Sequence, residues 1–381
     1  MDAIFAAPLR GGDAVWPEQW KDETLFEPAR RRLIYHGIAG LLHERRPLLI
    51  EWPRVLIETI SEECLARTMW ELRHRDLLSK VLENLHEASV ASVILKGTAL
   101  AYSVYDNPSH RIRGDTDLLI SEADLPVSRQ IFMELGWSIA VNTCGPFGNM
   151  HYQEIWQFED QAGFSHDIDL HWEVTNSRAL RRVLDVSVVL SDAVPLPALS
   201  RHARCVDPVA ALIHGCINRA EHKRTGYFSI DRNEFDPNRL LWAYDFHLQA
   251  AKFTSRQWNT YLERSAATGV AAICTDALEF ARISLGTIFP KAVSSQFECV
   301  PLETTATRYL GSANELERAW ADLKATPGVR AKLRFVLARA FPAGKFMREK
   351  YTELEHFPLP FLYMRRMISG FAKLFQRRAQ V

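Results

Sequence analysis

The sequence predicts an α+β protein that is predominantly helical, with a small mixed-sheet core between N-terminal helices and a C-terminal helical domain. Two observations support this prediction. Apolar residues recur at helical spacing on both sides of the core, and within the core short β-prone runs alternate with helical ones. We therefore divide the 381 residues into an N-terminal helical segment, a core, a helical domain and a basic tail, over residues 1–90, 91–195, 196–329 and 330–381.

The N-terminal segment is predicted to be helical over residues 17–90. Between Pro53 and Ala88, apolar residues such as Leu56, Ile60 and Leu82 recur at close to the helical repeat. Charged residues fill much of the other face, as on the solvated side of an amphipathic helix. One long helix is therefore expected before the core.

The pattern changes at Ser92, where β-prone runs begin. Two alternating runs flank Asp160-Gln-Ala-Gly163, which is typical of a hairpin. The predicted elements of the core are strand 92–95, helix 98–105, strand 116–120, helix 121–135, and hairpin strands 152–158 and 166–174.

The chain is predicted to become helical again beyond residue 197. Asp207-Pro208 is a typical helix start, because Asp caps free N–H groups and Pro fits the first turn. Residues 222–238 are polar and are predicted to form a loop. The helices are predicted over residues 209–221, 239–251, 256–266 and 268–287.

The composition is that of an ordinary globular protein. Lys plus Arg total 46 and Asp plus Glu total 46, so the formal net charge is zero, which argues against a chain-wide polycation that coats nucleic acid. The six cysteines form no C-x-x-C pair, and we expect reduced thiols in a cytoplasmic protein. The N-terminus lacks the pattern of a secretory signal, and no apolar run approaches the ~20 residues of a membrane-spanning helix.

Acidic residues are spaced for metal binding on two predicted strands. Side chains two apart on a strand share a face, so Asp115 and Asp117 are expected to project together. On the hairpin strand, Asp167, Asp169 and His171 share a face, and one of these two aspartates can reach the same metals. Mg²⁺ prefers one or two carboxylates together with phosphate oxygens. Three carboxylates around two such ions suit in-line attack on phosphorus.

Phosphate-binding residues are predicted close to these acids. Lys96, Gly97 and Thr98 lie where a strand gives way to a helix, so free backbone N–H groups and the positive helix end face one place. Gly97 lets the backbone approach a phosphate closely. Arg111 and Arg113 precede the carboxylates and can clamp phosphate oxygens through charge-assisted hydrogen bonds.

Three motifs in this order resemble the polymerase β-like nucleotidyltransferases, and within them a bacterial group of uncharacterised nucleotidyltransferases. The stretch that contains the three motifs is about 80 residues long, which is somewhat shorter than an ordinary domain. The three motifs read Leu95-Lys96-Gly97-Thr98-Ala99-Leu100, Asp115-Thr-Asp117-Leu-Leu119 and Asp169-Leu-His-Trp172.

The resemblance implies roles for these residues. Gly97 and Thr98 match the Gly-Ser nucleotide element, with Thr98 in place of the usual Ser. Asp115 and Asp117 match the metal pair, and Asp169 matches the third carboxylate. The implied reaction transfers a nucleoside monophosphate from a nucleoside triphosphate (NTP) to an acceptor, with Mg²⁺ or Mn²⁺ as cofactor and release of pyrophosphate. The acceptor stays open between a small molecule, a peptide and a small RNA.

Two other functions remain open from the sequence. Asp-x-Asp also occurs in glycosyltransferases that use nucleotide-sugars, although these generally place several strand–helix units before the motif, whereas here only one short strand and one helix precede Asp115 within the core. A catalytically idle protein that binds a nucleotide or a partner is the other alternative. The intact set of carboxylates argues against it.

The C-terminal tail carries an uneven share of the charge. From Arg330 to the end there are 12 Lys or Arg against 3 Glu, a net of +9, which leaves −9 on residues 1–329. Residues 357–381 mix bulky apolar side chains with arginines. Such a helix can lie on an anionic membrane surface or bind an acidic partner, which would make the protein membrane-peripheral. It can also pack on the body of its own chain with its basic face over acidic residues.

Overall fold

The computed structural model describes residues 1–141, 144–149, 151–229, 232–298, 303–312, 314–354 and 356–378. Its N-terminal part is helical, as predicted, apart from a short parallel pair, β1 (Ala14–Val15) and β2 (Leu49–Ile50). The helices of this part are α1 (Asp2–Leu9), α2 (Phe26–His36), α3 (Ala39–Glu44) and α4 (Arg54–Glu87).

Helix α4 is the longest element of this part. Its 34 residues correspond to roughly 50 Å of helix. The apolar residues that predict it, including Leu56, Ile60 and Leu82, are buried. Halfway along, Glu71 and His74 are also buried, which is unusual for polar side chains and directs attention to what they contact.

The core is a mixed sheet of seven strands within the described part of the chain. The strand order is β10-β11-β3-β4-β9-β8-β5, in which β4 pairs with β9 in parallel and β8 with β9 in antiparallel fashion. The confirmed fold class is therefore α+β. The strands are β3 (Ser92–Ile94), β4 (Asp115–Ile120), β5 (Ser138–Val141), β6 (Cys144–Gly145), β7 (Gly148–Asn149), β8 (Gln153–Glu159), β9 (Ser165–His171), β10 (Val194–Pro195) and β11 (Arg204–Cys205), of which β6 and β7 form a separate pair.

Helices connect and cover these strands. Helix α5 (Lys96–Ser103) follows β3 directly, so the first strand of the core ends at the start of a helix, as predicted. The predicted hairpin is present, and its turn contains Gly163 at φ +81°, a conformation that favours glycine. The other helices of this region are α6 (Leu125–Glu134) and α7 (Val186–Ser191).

The helices predicted after residue 207 are also present. The Asp207 side chain accepts hydrogen bonds from the N–H groups of Val209 and Ala210 at the start of the first. They are α8 (Pro208–Thr225), α9 (Leu240–Lys252), α10 (Ser255–Ala267) and α11 (Ala271–Leu285). Then follow α12 (Lys291–Ser294), α13 (Thr305–Gly311), α14 (Glu315–Ala325), α15 (Val329–Ala340), α16 (Gly344–Lys350) and α17 (Leu359–Arg378).

The structure differs from the prediction between residues 222 and 238. Helix α8 continues to Thr225 and ends at Gly226, whose φ of +77° suits glycine. The chain then forms a short antiparallel pair, β12 (Tyr227–Ser229) and β13 (Arg232–Glu234), instead of a plain loop. Strands of three residues leave no periodic pattern in a sequence, so this pair was not predicted.

One continuous set of buried apolar residues joins the N-terminal helices, the sheet and the following helices, from Phe5 to Leu310. The predicted boundary at residue 195 falls inside the sheet, because β11 follows it. The division of the chain into segments 1–90, 91–195, 196–329 and 330–381 stays a prediction. Among the described residues, no helix is long and apolar enough to cross a membrane.

Candidate active site

The acidic residues meet because β4 and β9 pair in parallel. Asp115 lies opposite Asp167, and Asp117 lies opposite Asp169. Residues opposite one another in a ladder point to the same side, so the four carboxylates share one face of the sheet. Within the described part of the chain, one ligand atom each of Asp117, Asp169 and His171 lies within 4.8 Å of the others.

The charges of these carboxylates oppose one another. Desolvation by the surrounding site, together with the charge of Asp117, raises the pKa of Asp115 to about 6. Burial and the charges of Asp117 and Asp115 raise the pKa of Asp169 to about 8. Burial and the neighbouring carboxylates therefore disfavour the charged forms of Asp115 and Asp169, and a positive group bound here would favour them.

Asp117 is the carboxylate that keeps its charge. Its Oδ1 atom lies 2.6 Å from Lys96 Nζ and 3.0 Å from His171 Nε2. Burial works against the charged form, but Lys96 and the hydrogen bond with His171 lower the pKa of Asp117 well below its usual range. Asp169 has a different partner, since Gln153 Nε2 donates to its Oδ2 atom at 2.7 Å.

Lys96 is positioned by the junction between β3 and α5. Leu95 still belongs to the sheet, where its N–H donates to the carbonyl of Asp117 at 2.9 Å. The chain then turns sharply into α5, and Lys96 has a φ of +46°, in the left-handed region. This turn directs the lysine side chain across to the neighbouring strand, where Nζ meets Asp117.

Gly97 lies against the two predicted phosphate-binding arginines. A Cβ atom at this position would stand 3.4 Å from Arg111 Nη1 and 3.5 Å from Arg113 Cδ. The start of α5 therefore lies next to both guanidinium-bearing side chains, and a Cβ atom here would make ordinary van der Waals contact with them. Their positive charge favours an anion at this helix start.

Each arginine is held by a buried carboxylate. Arg111 Nε donates to Asp245 Oδ1 on α9 at 2.7 Å, and Arg113 pairs with Glu71 on α4 at 2.8 Å. The Thr98 hydroxyl is also turned inward, where it accepts from Arg113 Nε at 2.8 Å. Direct contact of these three side chains with phosphate stays a prediction.

Sequence reasoning missed the residues that support this site. Glu71 and His74 come from α4, and His74 Nε2 lies 2.7 Å from the Thr116 hydroxyl behind the metal-facing side of β4. Glu71 and His74 are polar residues one helical turn apart and next to Trp70, and this pattern could have indicated a buried polar contact of α4. Asp245 lies 134 residues from Arg111 and left no such signal.

The donor set fits a divalent cation. Carboxylate oxygens are the ligands that Mg²⁺ prefers, and Mn²⁺ accepts the same oxygens together with imidazole nitrogen. Burial lowers the pKa of His171, which favours the neutral form of its ring. A bound cation would also favour the ionised forms of Asp115 and Asp169, whose pKa values are raised without it.

A crevice opens beside the start of α5, between that helix and α8 and α9. Its walls include Lys96 and Gly97, and also Leu100, Ala211 and Gln249. The last three residues also line a mainly apolar cavity of about 120 Å³. Gln249 is buried, and its Oε1 atom has no hydrogen-bond partner among the described residues.

Comparisons with known proteins give a family for the chain and a structural neighbour. Residues 26–286 match the family of uncharacterised nucleotidyltransferases. A search of curated proteins found no match. Among solved structures, an antigenic nucleotidyltransferase-like protein from Paracoccidioides brasiliensis is similar over 58% of this chain and 95% of its own, at 15% identity and a TM-score of 0.33. Because the family match covers more than half of the sequence, the chain belongs to the uncharacterised nucleotidyltransferase family.

Proposed function

We propose that this protein is a metal-dependent nucleotidyltransferase that transfers a nucleoside monophosphate from an NTP to an acceptor and releases pyrophosphate. The observation that carries the proposal is the convergence of Asp115, Asp117 and Asp169 on two parallel strands beside the turn at Lys96 and Gly97. Membership of the family supports nucleotidyl transfer in general.

Asp115, Asp117 and Asp169 would hold Mg²⁺ or Mn²⁺, with His171 in reach of the same place. Such ions, when bound, neutralise charge on the triphosphate and lower the pKa of an attacking hydroxyl. Gln153 orients Asp169 through its amide, and His171 orients Asp117. These contacts fix the carboxylates on one face of the sheet before any ligand arrives.

The start of α5 would receive the triphosphate. Lys96 brings an ammonium group there, and the free N–H groups of the first turn attract an anion. Arg111 and Arg113 add positive charge next to Gly97, while their own partners, Asp245 and Glu71, keep them in place.

We place the acceptor in the crevice between α5 and helices α8 and α9. This crevice begins at Lys96 and Gly97, where the triphosphate would end. The cavity that shares its walls is close in size to an engineered cavity of about 150 Å³ that binds benzene. The free Oε1 atom of Gln249 would accept one hydrogen bond from an acceptor that is otherwise largely apolar there.

The deciding experiment supplies the purified protein with each α-labelled NTP in turn, with Mg²⁺ or Mn²⁺ and a cell extract. We expect one labelled product and release of pyrophosphate, both lost in Asp117→Asn. The matched control is Asp13→Asn, which changes an exposed aspartate outside the site. Release of nucleoside diphosphate from a nucleotide-sugar would indicate glycosyl transfer instead. Calorimetry without any metal-dependent NTP binding would indicate a catalytically idle binding protein.

A further inference from the structure

Two helices of the basic tail leave apolar stripes uncovered. On α15, Val329, Leu333 and Val336 are exposed, the first by 84% of its surface. Their spacing of four and three residues places them on one face of the helix. An uncovered row of large apolar residues on a folded protein marks an interaction site.

Helix α17 repeats the arrangement. Phe361, Met364 and Ile368 are exposed at spacings of three and four residues, and Ile368 is 60% exposed. These three residues also share one helix face. The two helices contact each other, so the stripes belong to one region of the surface.

The opposite faces of both helices are anchored. Phe335 and Ala338 of α15 are buried, and Leu362 of α17 is fully buried. The Tyr363 hydroxyl donates to the Pro342 carbonyl at 2.7 Å. The stripes are therefore the outward faces of packed helices, and docking on the chain's own body does not cover them.

Positive charge surrounds these stripes. Arg330, Lys332 and Arg334 lie on α15 and Arg365 on α17, and no ion pair is found for these four within the described residues. The sequence from Arg330 onward carries a net charge of +9. This combination of exposed apolar stripes and positive charge is complementary to a binding partner whose surface is anionic on the outside and apolar beneath.

We propose that the exposed faces of α15 and α17 dock on an anionic phospholipid bilayer. Arginines and lysines would meet lipid phosphates while the two stripes enter the acyl boundary. A second copy of the chain is a poorer occupant, because two such surfaces repel each other. RNA is also a poorer occupant, since it offers nothing apolar to aliphatic side chains. This inference does not depend on the transferase activity.

The test measures sedimentation of the full chain with vesicles of phosphatidylcholine, alone or mixed with phosphatidylserine. We expect binding only to the mixed vesicles, and release when salt is raised. The double change Met364→Ser with Ile368→Ser should weaken binding about tenfold, because it removes apolar surface. Arg330→Gln with Arg334→Gln should weaken it by about tenfold as well, through lost attraction to anionic lipid.

The matched control is Ile288→Ser, because Ile288 is 90% exposed and lies outside both helices. It should bind vesicles like the unchanged chain, and circular dichroism should show all variants folded. The proposal is overturned if the chain ignores mixed vesicles or if the apolar double change has no effect. A dimer that dissociates on that change, or RNA binding without vesicle binding, would assign the surface to another occupant.

Discussion

Lys96 joins backbone strain and charge in one residue. Its φ of +46° lies where a side chain other than glycine costs about 1–2 kcal/mol. Such strain persists only where the surroundings fix it, and it clusters at functional sites. Here the ion pair between Nζ and Asp117 helps to hold the conformation. A glycine would relieve the strain but would remove the only group that this position offers to Asp117 or to a phosphate.

We therefore expect Lys96→Gly to be more stable than Lys96→Ala by about 1 kcal/mol, because both lose the ion pair and only alanine keeps the strain. Urea unfolding measures the difference. Lys80 in the middle of α4 is the matched control, since glycine there should be less stable than alanine by about 1 kcal/mol. The same order of stability at both positions would show that the backbone at Lys96 is not strained.

At the scale of elements, α4 acts as a scaffold for the site. Glu71 accepts from Arg113, and the Tyr102 hydroxyl of α5 donates to the same carboxylate. His74 reaches the back of β4 through Thr116. One helix from the N-terminal part thus holds both the loop before β4 and the strand itself.

Removing Glu71 should be costly, because the buried Arg113 would lose its carboxylate partner and keep only neutral hydrogen-bond acceptors. We expect Glu71→Ala to lower the free energy of unfolding by about 3–5 kcal/mol. Glu62→Ala on the same helix is the control, since Glu62 is exposed, and its effect should stay within about 0.5 kcal/mol. The measurement is the denaturant midpoint of each variant. Similar midpoints for the two variants would show that α4 does not act as a scaffold through Glu71.

The hairpin between β8 and β9 depends on Asp160 in its turn. The carboxylate accepts from the N–H groups of Ala162 and Phe164, and lies 2.8 Å from Arg73 on α4. Burial would raise the pKa of Asp160, but these hydrogen bonds lower it below its usual value.

A lowered pKa in the folded state gives a defined dependence of stability on pH. The stabilisation is complete above the unfolded-state pKa of about 3.9 and is lost as the pH falls towards the lower folded value. We expect Asp160→Asn to reduce the melting temperature by a few degrees at neutral pH, and the difference from the unchanged chain to shrink in acid. Asp13→Asn, at an exposed position, should show no such trend. A difference that stays constant with pH would contradict the role of the charge.

Elements were predictable where the sequence carries a long periodic pattern or a turn signal. Helix α4, the four helices predicted between residues 209 and 287 and the hairpin around Gly163 are of this kind. Alternation along the strands was enough to put Asp115 and Asp117 on one face. The pairs β1–β2 and β12–β13 were not predictable, because strands of two or three residues depend on distant partners. Asp245, which holds Arg111, was missed because the two residues lie 134 positions apart, whereas Glu71, which holds Arg113, lay in a polar pattern on α4 that could have been noticed.

At the scale of the whole molecule, Asp322 connects the C-terminal helices to the sheet. This buried residue of α14 accepts from the Ser177 hydroxyl at 2.9 Å and from the Ala179 N–H at 3.1 Å, in the segment after β9. It also accepts from the Tyr309 hydroxyl and from Arg339 of α15, each at 3.2 Å. One carboxylate thus links α13, α14 and α15 to the core.

We expect Asp322→Ala to lower the free energy of unfolding by about 2 kcal/mol or more, since several donors lose their acceptor at once. Trypsin should then cleave within α14 to α16 faster than in the unchanged chain, while the sheet stays protected. Glu315→Gln, an exposed change on the same helix that leaves every trypsin site intact, is the control. Unchanged cleavage in Asp322→Ala would mean that other contacts hold these helices.

The pairing of β4 with β9 also limits how this protein can diversify. Successive side chains of a strand alternate between its two faces, so one residue added within β9 before Asp169 would turn that carboxylate towards the interior. Two added residues would restore its direction. Length changes inside this strand are therefore tolerable only in even steps.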